Sequence, residues 1–262
     1  MFAQWSLPSA TPAARRSLLL YGSSVELWWL PARATRPRAS ASLLLADRAT
    51  RIVDQEALWR SDEPPAALTP NRYPFATSAA ILWTGRPERE ASESLLDLAF
   101  SLVEAAGGSA LMNTLGAAAT QPRAHVHLVA ERLTFLDSLP TLPVRPQSLG
   151  DGDWPAVEFV RLAAPFPGLV LGVRGERPAR AKAAARLLAL RVSPAANLVS
   201  VGATTWFVPR RCETPAPHFP LPLGCAELWG RFCYEDEAAF ATADAKALDA
   251  ALAMATWPAQ AL

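Results

Sequence analysis

Two of the chain's three histidines, His125 and His127, are separated by a single residue in the apolar segment His-Val-His-Leu-Val. The composition predicts a strand, and residues two apart on a strand point to the same face. The two imidazoles would therefore lie side by side, with Arg123 in line and with Val126 and Leu128 directed into the core. A neutral imidazole is a nucleophile toward phosphorus near pH 7, and a guanidinium binds phosphate. The segment predicts nucleophilic chemistry at a phosphate group.

The residues before this strand make the prediction more specific. The run Asn113-Thr-Leu-Gly-Ala-Ala-Ala-Thr120 continues through Gln-Pro-Arg-Ala to the two histidines. It resembles the active-site strand of the histidine-triad (HIT) superfamily, and most closely that of the GDP-hexose phosphorylases of the GDP-L-galactose phosphorylase type. In that family, Asn-Ser-Leu-Gly-Ala-Phe-Ala-Thr leads into His-x-His-x-Gln, and the second histidine becomes nucleotidylated.

Two alignments with that pattern are open. Without a gap, Arg123 falls on the family's first histidine, His125 on the nucleophile and His127 on the glutamine, and this alignment is preferred. With a two-residue insertion, His125 takes the first position, His127 becomes the nucleophile and Val129 replaces the glutamine. Neither alignment gives a complete triad.

Two other segments support the resemblance. Leu68-Thr-Pro-Asn-Arg-Tyr-Pro74, followed by an apolar run, is similar to the nucleotide-side loop and strand of HIT domains, although Ser78-Ala79 replaces the usual Gly-His. The segment from Asn197 to Arg211 is similar to a hairpin of the phosphorylases and reads as two strands joined around Gly202. The resemblance covers roughly residues 68 to 255.

The resemblance implies an α+β, HIT-like fold: two fused HIT-like halves around a mainly antiparallel sheet flanked by helices. This is also the architecture of the galactose-1-phosphate uridylyltransferase and GDP-hexose phosphorylase relatives, and the Ap4A phosphorylases are named as further relatives by the same resemblance. The expected division is an N-terminal β element over residues 1–62, a first half with the histidine strand over 63–140, and a second half with a C-terminal helix over 141–262.

The activity implied is that of a nucleotidyltransferase or phosphorylase. It would act on a nucleoside diphosphate-linked substrate such as GDP-hexose through a covalent nucleotidyl-histidine. The alternatives are a catalytically degenerate nucleotide-binding or scaffold protein and a HIT-type hydrolase with altered chemistry. His125, His127 and Arg123 are the expected catalytic residues. The expected nucleotide and phosphate ligands are Asn71, Arg72, Asn113, Gly116, Thr120, Gln121, Arg210 and Arg211. No metal and no redox cofactor is implied.

Composition constrains the partners. The 262 residues are 51% hydrophobic and carry 25 Lys and Arg against 24 Asp and Glu. A chain of this length buries a substantial core, and a balanced charge argues against general nucleic-acid binding. The three cysteines form no CxxC pair, so neither a disulfide framework nor a zinc site is expected. The same pattern predicts a cytoplasmic location. No membrane segment is expected. The expected partners are a nucleotide or sugar nucleotide and phosphate, with a homodimer left open.

The remaining elements follow from periodicity and turn residues. Strands are expected over residues 17–21 and 25–30, with a basic, proline-punctuated loop at 31–38 and a further strand over 42–53. The segment 62–66 is the expected boundary before the HIT-like part. Helices are expected over 90–106, ending at Gly107, over 178–190 and over 235–256.

Overall fold

A ten-stranded sheet, antiparallel at every strand pair, forms the centre of the molecule. The structure is a computed structural model that describes residues 5–36, 45–145, 149, 153–190 and 193–259. The strands of the first half of the sheet are β3 (Trp59–Asp62), β4 (Pro65–Pro70), β5 (Ala79–Thr84), β6 (Ser109–Asn113) and β7 (His125–Val129). Those of the second half are β8 (Thr141–Val144), β9 (Glu158–Leu162), β10 (Leu171–Arg174), β11 (Ala195–Val201) and β12 (Thr204–Arg210).

The two halves repeat one topology. Each consists of three successive strands, one helix and a final strand pair, and the helices are α2 (Glu93–Ala106) and α3 (Arg177–Leu190). Across the sheet the order is β3-β4-β5-β7-β6-β11-β12-β10-β9-β8, so the strand order in one half mirrors that in the other. The equivalent strands β6 and β11 pair at the centre, with Asn113 opposite Asn197. The predicted fold class is confirmed.

Helices α2 and α3 cover one face of the sheet, where Val126 and Leu128 belong to the shared apolar core. Burial of apolar faces from both helices and strands is what stabilises such a layered arrangement. Helix α2 begins after Ser92, whose side chain accepts a hydrogen bond from Leu95 N–H. It ends at Gly107, which has the left-handed φ of 65° that favours glycine at this position. The expected end of this helix is confirmed.

The opposite face is covered by elements from both ends of the chain. A three-stranded sheet has the order β1 (Ala14–Leu20), β2 (Ser23–Trp29) and β13 (Arg231–Tyr234). Helices α4 (Cys225–Trp229), α5 (Glu237–Thr242) and α6 (Ala245–Ala255) complete this layer, and α1 (Leu45–Glu56) packs near β4. Because His125 and His127 alternate with Val126 and Leu128, both imidazoles point toward this layer.

Two sequence expectations about elements are wrong. Within 42–53, the described residues belong to the helix α1, whose Ala49 and Val53 pack together against β4 and β5. The expected helix over 235–256 is two helices, because Asp244 caps a new helix through Ala247 N–H. The segment 62–66, where a boundary is expected, includes the turn of the β3–β4 hairpin. The domain limits at 62 and 140 stay predictions.

Candidate functional site

A cavity of about 210 Å³ lies between the sheet and the covering layer. His125 and His127 line it together with Trp83 of the neighbouring strand β5. The other walls come from the 3-10 turn Pro31–Thr35 and its end, from helix α1, from the loop after β4, and from the start of α4. The fold therefore brings segments that are far apart in the sequence to the histidine strand.

The imidazole of His125 is buried, and its hydrogen bond would leave one ring nitrogen free to act as a nucleophile. It is the first residue of β7 and is 4% exposed. Its Nδ1 lies 2.8 Å from the main-chain oxygen of Arg123. Because a carbonyl oxygen only accepts hydrogen bonds, Nδ1 carries the proton and the lone pair is on Nε2. Burial lowers the pKa of His125, and the carbonyl opposes this only in part, so the ring is neutral near pH 7.

His127 lies beside it, with 5.3 Å between the two ring centroids. Burial, the neighbouring His125 and the charges of Arg33 and Arg36 hold the pKa of His127 well below its usual value. Its Nδ1 is buried and has no hydrogen-bond partner in the described part of the chain. A neutral imidazole with an unused polar atom at a cavity wall can donate to, or accept from, a bound ligand.

Trp83 packs against the first imidazole. The ring centroids of Trp83 and His125 are 4.7 Å apart, with 33° between the ring planes. The indole is itself fixed, because Nε1 donates a 2.9 Å hydrogen bond to Thr69 Oγ1. This packing restricts the orientation of the imidazole and excludes water from one of its faces.

Most of the expected nucleotide ligands line the cavity: Asn71, Arg72, Asn113, Thr120 and Gln121. Arg72 pairs with Glu56 at 2.8 Å between Nε and Oε2. Asn113 Oδ1 accepts hydrogen bonds from Cys225 N–H and from the Asn197 side chain. Gln121 is 9% exposed, and its Oε1 has no partner among the described residues. Their roles in ligand binding stay predictions.

The other expected site residues do not line this cavity. Arg123 precedes β7 rather than lying in line within it, and its guanidinium donates to the main-chain oxygens of Thr84 and Gly85. It is 4% exposed, and those contacts fasten the start of β7 to the end of β5. Its guanidinium is not part of the cavity wall, and its catalytic role stays a prediction.

Three further expected ligands have other environments. Arg210 is buried and donates to Asn197 Oδ1 and to the main-chain oxygens of Ala255 and Leu223, which makes it a clamp within the second half. Arg211 is exposed beyond the end of β12. Gly116 occupies an exposed turn with a φ of 79°. None of the three is part of the cavity wall.

Sequence reasoning missed the arginines from the N-terminal region that do line the cavity: Arg33, Arg36 and Arg48. Arg33 Nη1 donates to the main-chain oxygen of Tyr73 at 2.6 Å, and its guanidinium lies 5.8 Å from the Phe75 ring centroid. The available signal was the basic loop at residues 31–38, but no local pattern indicates that this loop lies next to the histidine strand.

Other chemistry finds little support among the described residues. No group of three or more His, Cys, Asp or Glu side chains is placed to hold a metal ion. Cys225 and Cys233 are free thiols in the cavity wall, and burial raises the pKa of Cys233 to about 12. Within the same ranges, no helix has the length and apolar character needed to cross a bilayer.

Comparisons with known proteins identify the fold. No protein-family model matches the sequence, and no curated protein sequence matches it. Yeast Ap4A phosphorylase Apa2 in complex with Ap4A superposes with a TM-score of 0.70 at 15% identity, over 96% of this chain and 92% of that chain. The same yeast protein in complex with AMP gives 0.66 at 15% identity, over 96% and 90%. The chain therefore has the fold of this phosphorylase, which agrees with the fold that the sequence resemblance predicts.

Proposed function

We propose that the protein is a nucleotidyltransferase or phosphorylase that forms a covalent nucleotidyl-histidine at His125. One observation carries the proposal: a buried, neutral imidazole in the cavity wall has its Nδ1 proton committed to a main-chain carbonyl. That contact fixes the ring orientation and leaves Nε2 as the nucleophilic atom. It also favours the ungapped alignment, in which His125 is the nucleophile.

In the first step, His125 Nε2 attacks the α-phosphorus of a nucleoside diphosphate-linked substrate. The new N–P bond takes the lone pair of Nε2, and the broken P–O bond leaves its electron pair on the departing phosphate group. The imidazole keeps the proton on Nδ1 and becomes positively charged. The Arg123 carbonyl, 2.8 Å from Nδ1, stabilises this charge.

In the second step, an acceptor oxygen attacks the same phosphorus and the N–P bond breaks, which returns the electron pair to Nε2. Inorganic phosphate as the acceptor makes the reaction a phosphorolysis, and a sugar phosphate makes it a transfer. His127 contributes as a neutral hydrogen-bonding group to a non-bridging oxygen, using the Nδ1 that has no partner among the described residues. The cavity arginines offset the negative charge that develops on the phosphate oxygens.

The substrate has a nucleoside linked to at least two phosphates. GDP-hexose and related sugar nucleotides follow from the sequence resemblance. Dinucleoside polyphosphates are further candidate substrates, because the structures of the yeast phosphorylase contain Ap4A and AMP. Phe75 and Tyr73 supply aromatic surface in the cavity wall against which a nucleobase or ribose can pack.

The experiment is to incubate the protein with sugar nucleotides and dinucleoside polyphosphates labelled at the α-phosphorus, omitting the acceptor. The expected result is one acid-labile, alkali-stable label per chain, which is discharged when phosphate is added. Ping-pong kinetics are expected with the productive donor and acceptor.

Three single-histidine variants locate the label. His125→Ala should abolish it, while His127→Ala should slow its formation and His218→Ala should leave it unchanged. His218 is the matched control because it is exposed and is not part of the cavity wall. Loss of label in His127→Ala with retention in His125→Ala would support the gapped alignment instead.

The second candidate is a catalytically degenerate protein that binds nucleotides without transferring them. It is favoured by the residue at the position of the family's first histidine, since the Arg123 guanidinium is engaged by main-chain oxygens away from the cavity wall. Tight binding of several labelled nucleotides without a covalent product would identify this candidate. A cytoplasmic location and a homodimer stay predictions.

A further inference from the structure

The N-terminal region supplies positive charge to a cavity whose nucleophile comes from the first HIT-like half. Arg33 lies in the 3-10 turn Pro31–Thr35, Arg36 follows that turn, and Arg48 lies on α1. All three line the cavity. The sequence resemblance, which starts near residue 68, assigns no role to this region. A role for these arginines therefore has to be argued from what surrounds them.

The cavity wall contains fewer carboxylates than arginines. Glu56 is paired with Arg72 at 2.8 Å, whereas the nearest approach of Arg36 to Glu235 is 3.9 Å. Glu227 is buried and accepts main-chain hydrogen bonds, and burial raises its pKa. Four guanidinium groups and three carboxylates thus line the cavity. A bound anion would offset the remaining positive charge, and guanidinium groups bind phosphate oxygens well.

Polar atoms without partners point to a ligand in the same place. Gln121 Oε1, His127 Nδ1 and Arg36 Nε are buried and make no hydrogen bond within the described ranges. Gln121 is nine-tenths buried and lines the cavity, as the other two residues do. Buried polar atoms in native proteins nearly always have a partner. Three of them around one cavity indicate a polar ligand there.

We propose that Arg33, Arg36 and Arg48 form a phosphate-chain subsite that selects substrates whose leaving group contains at least two linked phosphates. As a step in the reaction this rests on the proposed function, while as a binding site it stands alone. A guanidinium binds phosphate oxygens through paired N–H groups. The leaving group of a sugar nucleotide contains a single phosphate and would use only part of the subsite. Nucleoside triphosphates and longer polyphosphates would use all of it.

The subsite is tested by calorimetric titration with a nucleoside mono-, di- and triphosphate, in both an adenosine and a guanosine series. In the parent protein, Kd should fall with each added phosphate of at least one series. In Arg33→Gln and Arg36→Gln, the triphosphate should bind roughly 10- to 150-fold more weakly, the loss expected for one charge-assisted contact. The monophosphate should bind nearly as before. Arg86→Gln is the control, because Arg86 is exposed and outside the cavity wall.

Two variants guard against a folding defect. Arg33→Gln also removes the hydrogen bond to Tyr73, so Arg36→Gln, which does not touch that bond, has to give the same pattern. Arg33→Lys keeps the charge and should recover part of the triphosphate affinity. Thermal unfolding of every variant shows whether the fold is retained.

The outcomes separate the two proposals. Equal affinity for mono- and triphosphate in the parent, or triphosphate affinity that is unchanged in both glutamine variants, would overturn the subsite. A stepwise gain that depends on Arg33 and Arg36, without any covalent label at His125, would retain the subsite and reject the transferase. A label that forms equally well from one-phosphate and polyphosphate leaving groups would retain the transferase and reject the selectivity.

Discussion

Among the single residues of the site, the two histidines differ in their hydrogen bonds, and the proposed roles follow from that difference. His125 donates Nδ1–H to the Arg123 carbonyl, whereas His127 Nδ1 has no partner in the described part of the molecule. Only the first arrangement fixes the tautomer before substrate binds. The Arg123 main-chain oxygen therefore matters more to the nucleophile than its guanidinium does.

This arrangement predicts the pH dependence of nucleotidylation. Attack requires neutral His125, and burial lowers the pKa of that ring below the ordinary 6.5. The neutral form is populated above the pKa, so the single-turnover rate should stay constant from alkaline pH down to about 6.5 and fall only at lower pH. A rate that already declines with an inflection above 6.5 would contradict a desolvated nucleophile.

Arg123 gives a second prediction at this scale. Its guanidinium is 4% exposed and donates to the Thr84 and Gly85 carbonyls. Arg123→Gln should lower the free energy of unfolding by about 1.5 to 3 kcal/mol, the value of a charged hydrogen bond. Nucleotide affinity should stay near that of the parent. Urea unfolding and calorimetric titration measure the two effects, with exposed Arg86→Gln as control. Weakened nucleotide binding at unchanged stability would restore the phosphate-binding role.

At the scale of elements, local patterns predicted most of the fold. Alternation in His-Val-His-Leu-Val gave the facing imidazoles, and Ser92 and Gly107 flank α2 as capping residues do. The same reasoning failed for α1, whose apolar Ala49, Ile52 and Val53 recur at helical spacing in a short segment that also reads as a strand. The placement of Arg33 depends on contacts between segments that are far apart in the sequence, such as its hydrogen bond to Tyr73. A local sequence pattern does not predict such contacts.

The connection between α2 and β6 gives an element-scale prediction. A Cβ on Gly108 would collide with the main-chain oxygen of Val129, the last residue of β7. The backbone there cannot move without displacing the histidine strand. Gly108→Ala should therefore lower the free energy of unfolding by about 1 to 3 kcal/mol, as overpacking does.

The neighbouring glycine is the matched control for that variant. A Cβ on Gly107 would meet open space, so Gly107→Ala introduces only the strain of its left-handed φ, about 1 kcal/mol. Chemical denaturation of both variants compares the free energy lost to a steric collision at Gly108 with that lost to an unfavourable φ at Gly107. A smaller loss for Gly108→Ala than for Gly107→Ala would contradict the packing argument.

In the whole molecule, the two halves share one topology but differ in the residues that their equivalent strands carry. Strand β12 occupies in the second half the place of β7 in the first, yet it has no histidine. Its Arg210 instead connects the strand to the end of α6 and to Asn197 of β11. The first half thus carries the proposed nucleophile, and the second half supports that half of the sheet through the central β6–β11 pair.

One buried cation links several parts of the covering layer to the loops at the sheet. Arg231 of β13 is 1% exposed and pairs with Glu26 of β2 and Glu131 beyond β7. It also donates to the Phe75 main-chain oxygen, and its guanidinium lies 3.6 Å from the Trp28 ring centroid. The N-terminal strands, the C-terminal strand and the cavity loop therefore converge on one side chain.

This convergence predicts that Arg231→Gln loosens the whole covering layer. Losing one partner from a buried ion pair costs about 3 to 5 kcal/mol, and the low end is expected because both carboxylates retain some exposure. Triphosphate affinity should fall together with the melting temperature, because the loop at Phe75 and the Arg33 turn are no longer fixed.

Burial acts to raise the pKa of Glu131, but the hydrogen bonds from Arg231 and Thr77 outweigh it and the pKa is lowered. The parent therefore loses this stabilisation as pH falls below about 4.5, and the variant should lose less over that range.

Arg15→Gln is the control, because Arg15 lies over the same Trp28 ring, 4.3 Å from its centroid, but is exposed. An exposed cation–π contact contributes only about 0.5 to 1 kcal/mol, so this variant should remain close to the parent in stability and affinity. Scanning calorimetry and titration with the triphosphate measure both quantities in the same samples. Similar losses for the two variants would mean that Trp28 stacking holds the layer. A loss of stability in Arg231→Gln without a loss of affinity would mean that the layer closes the cavity without positioning its arginines.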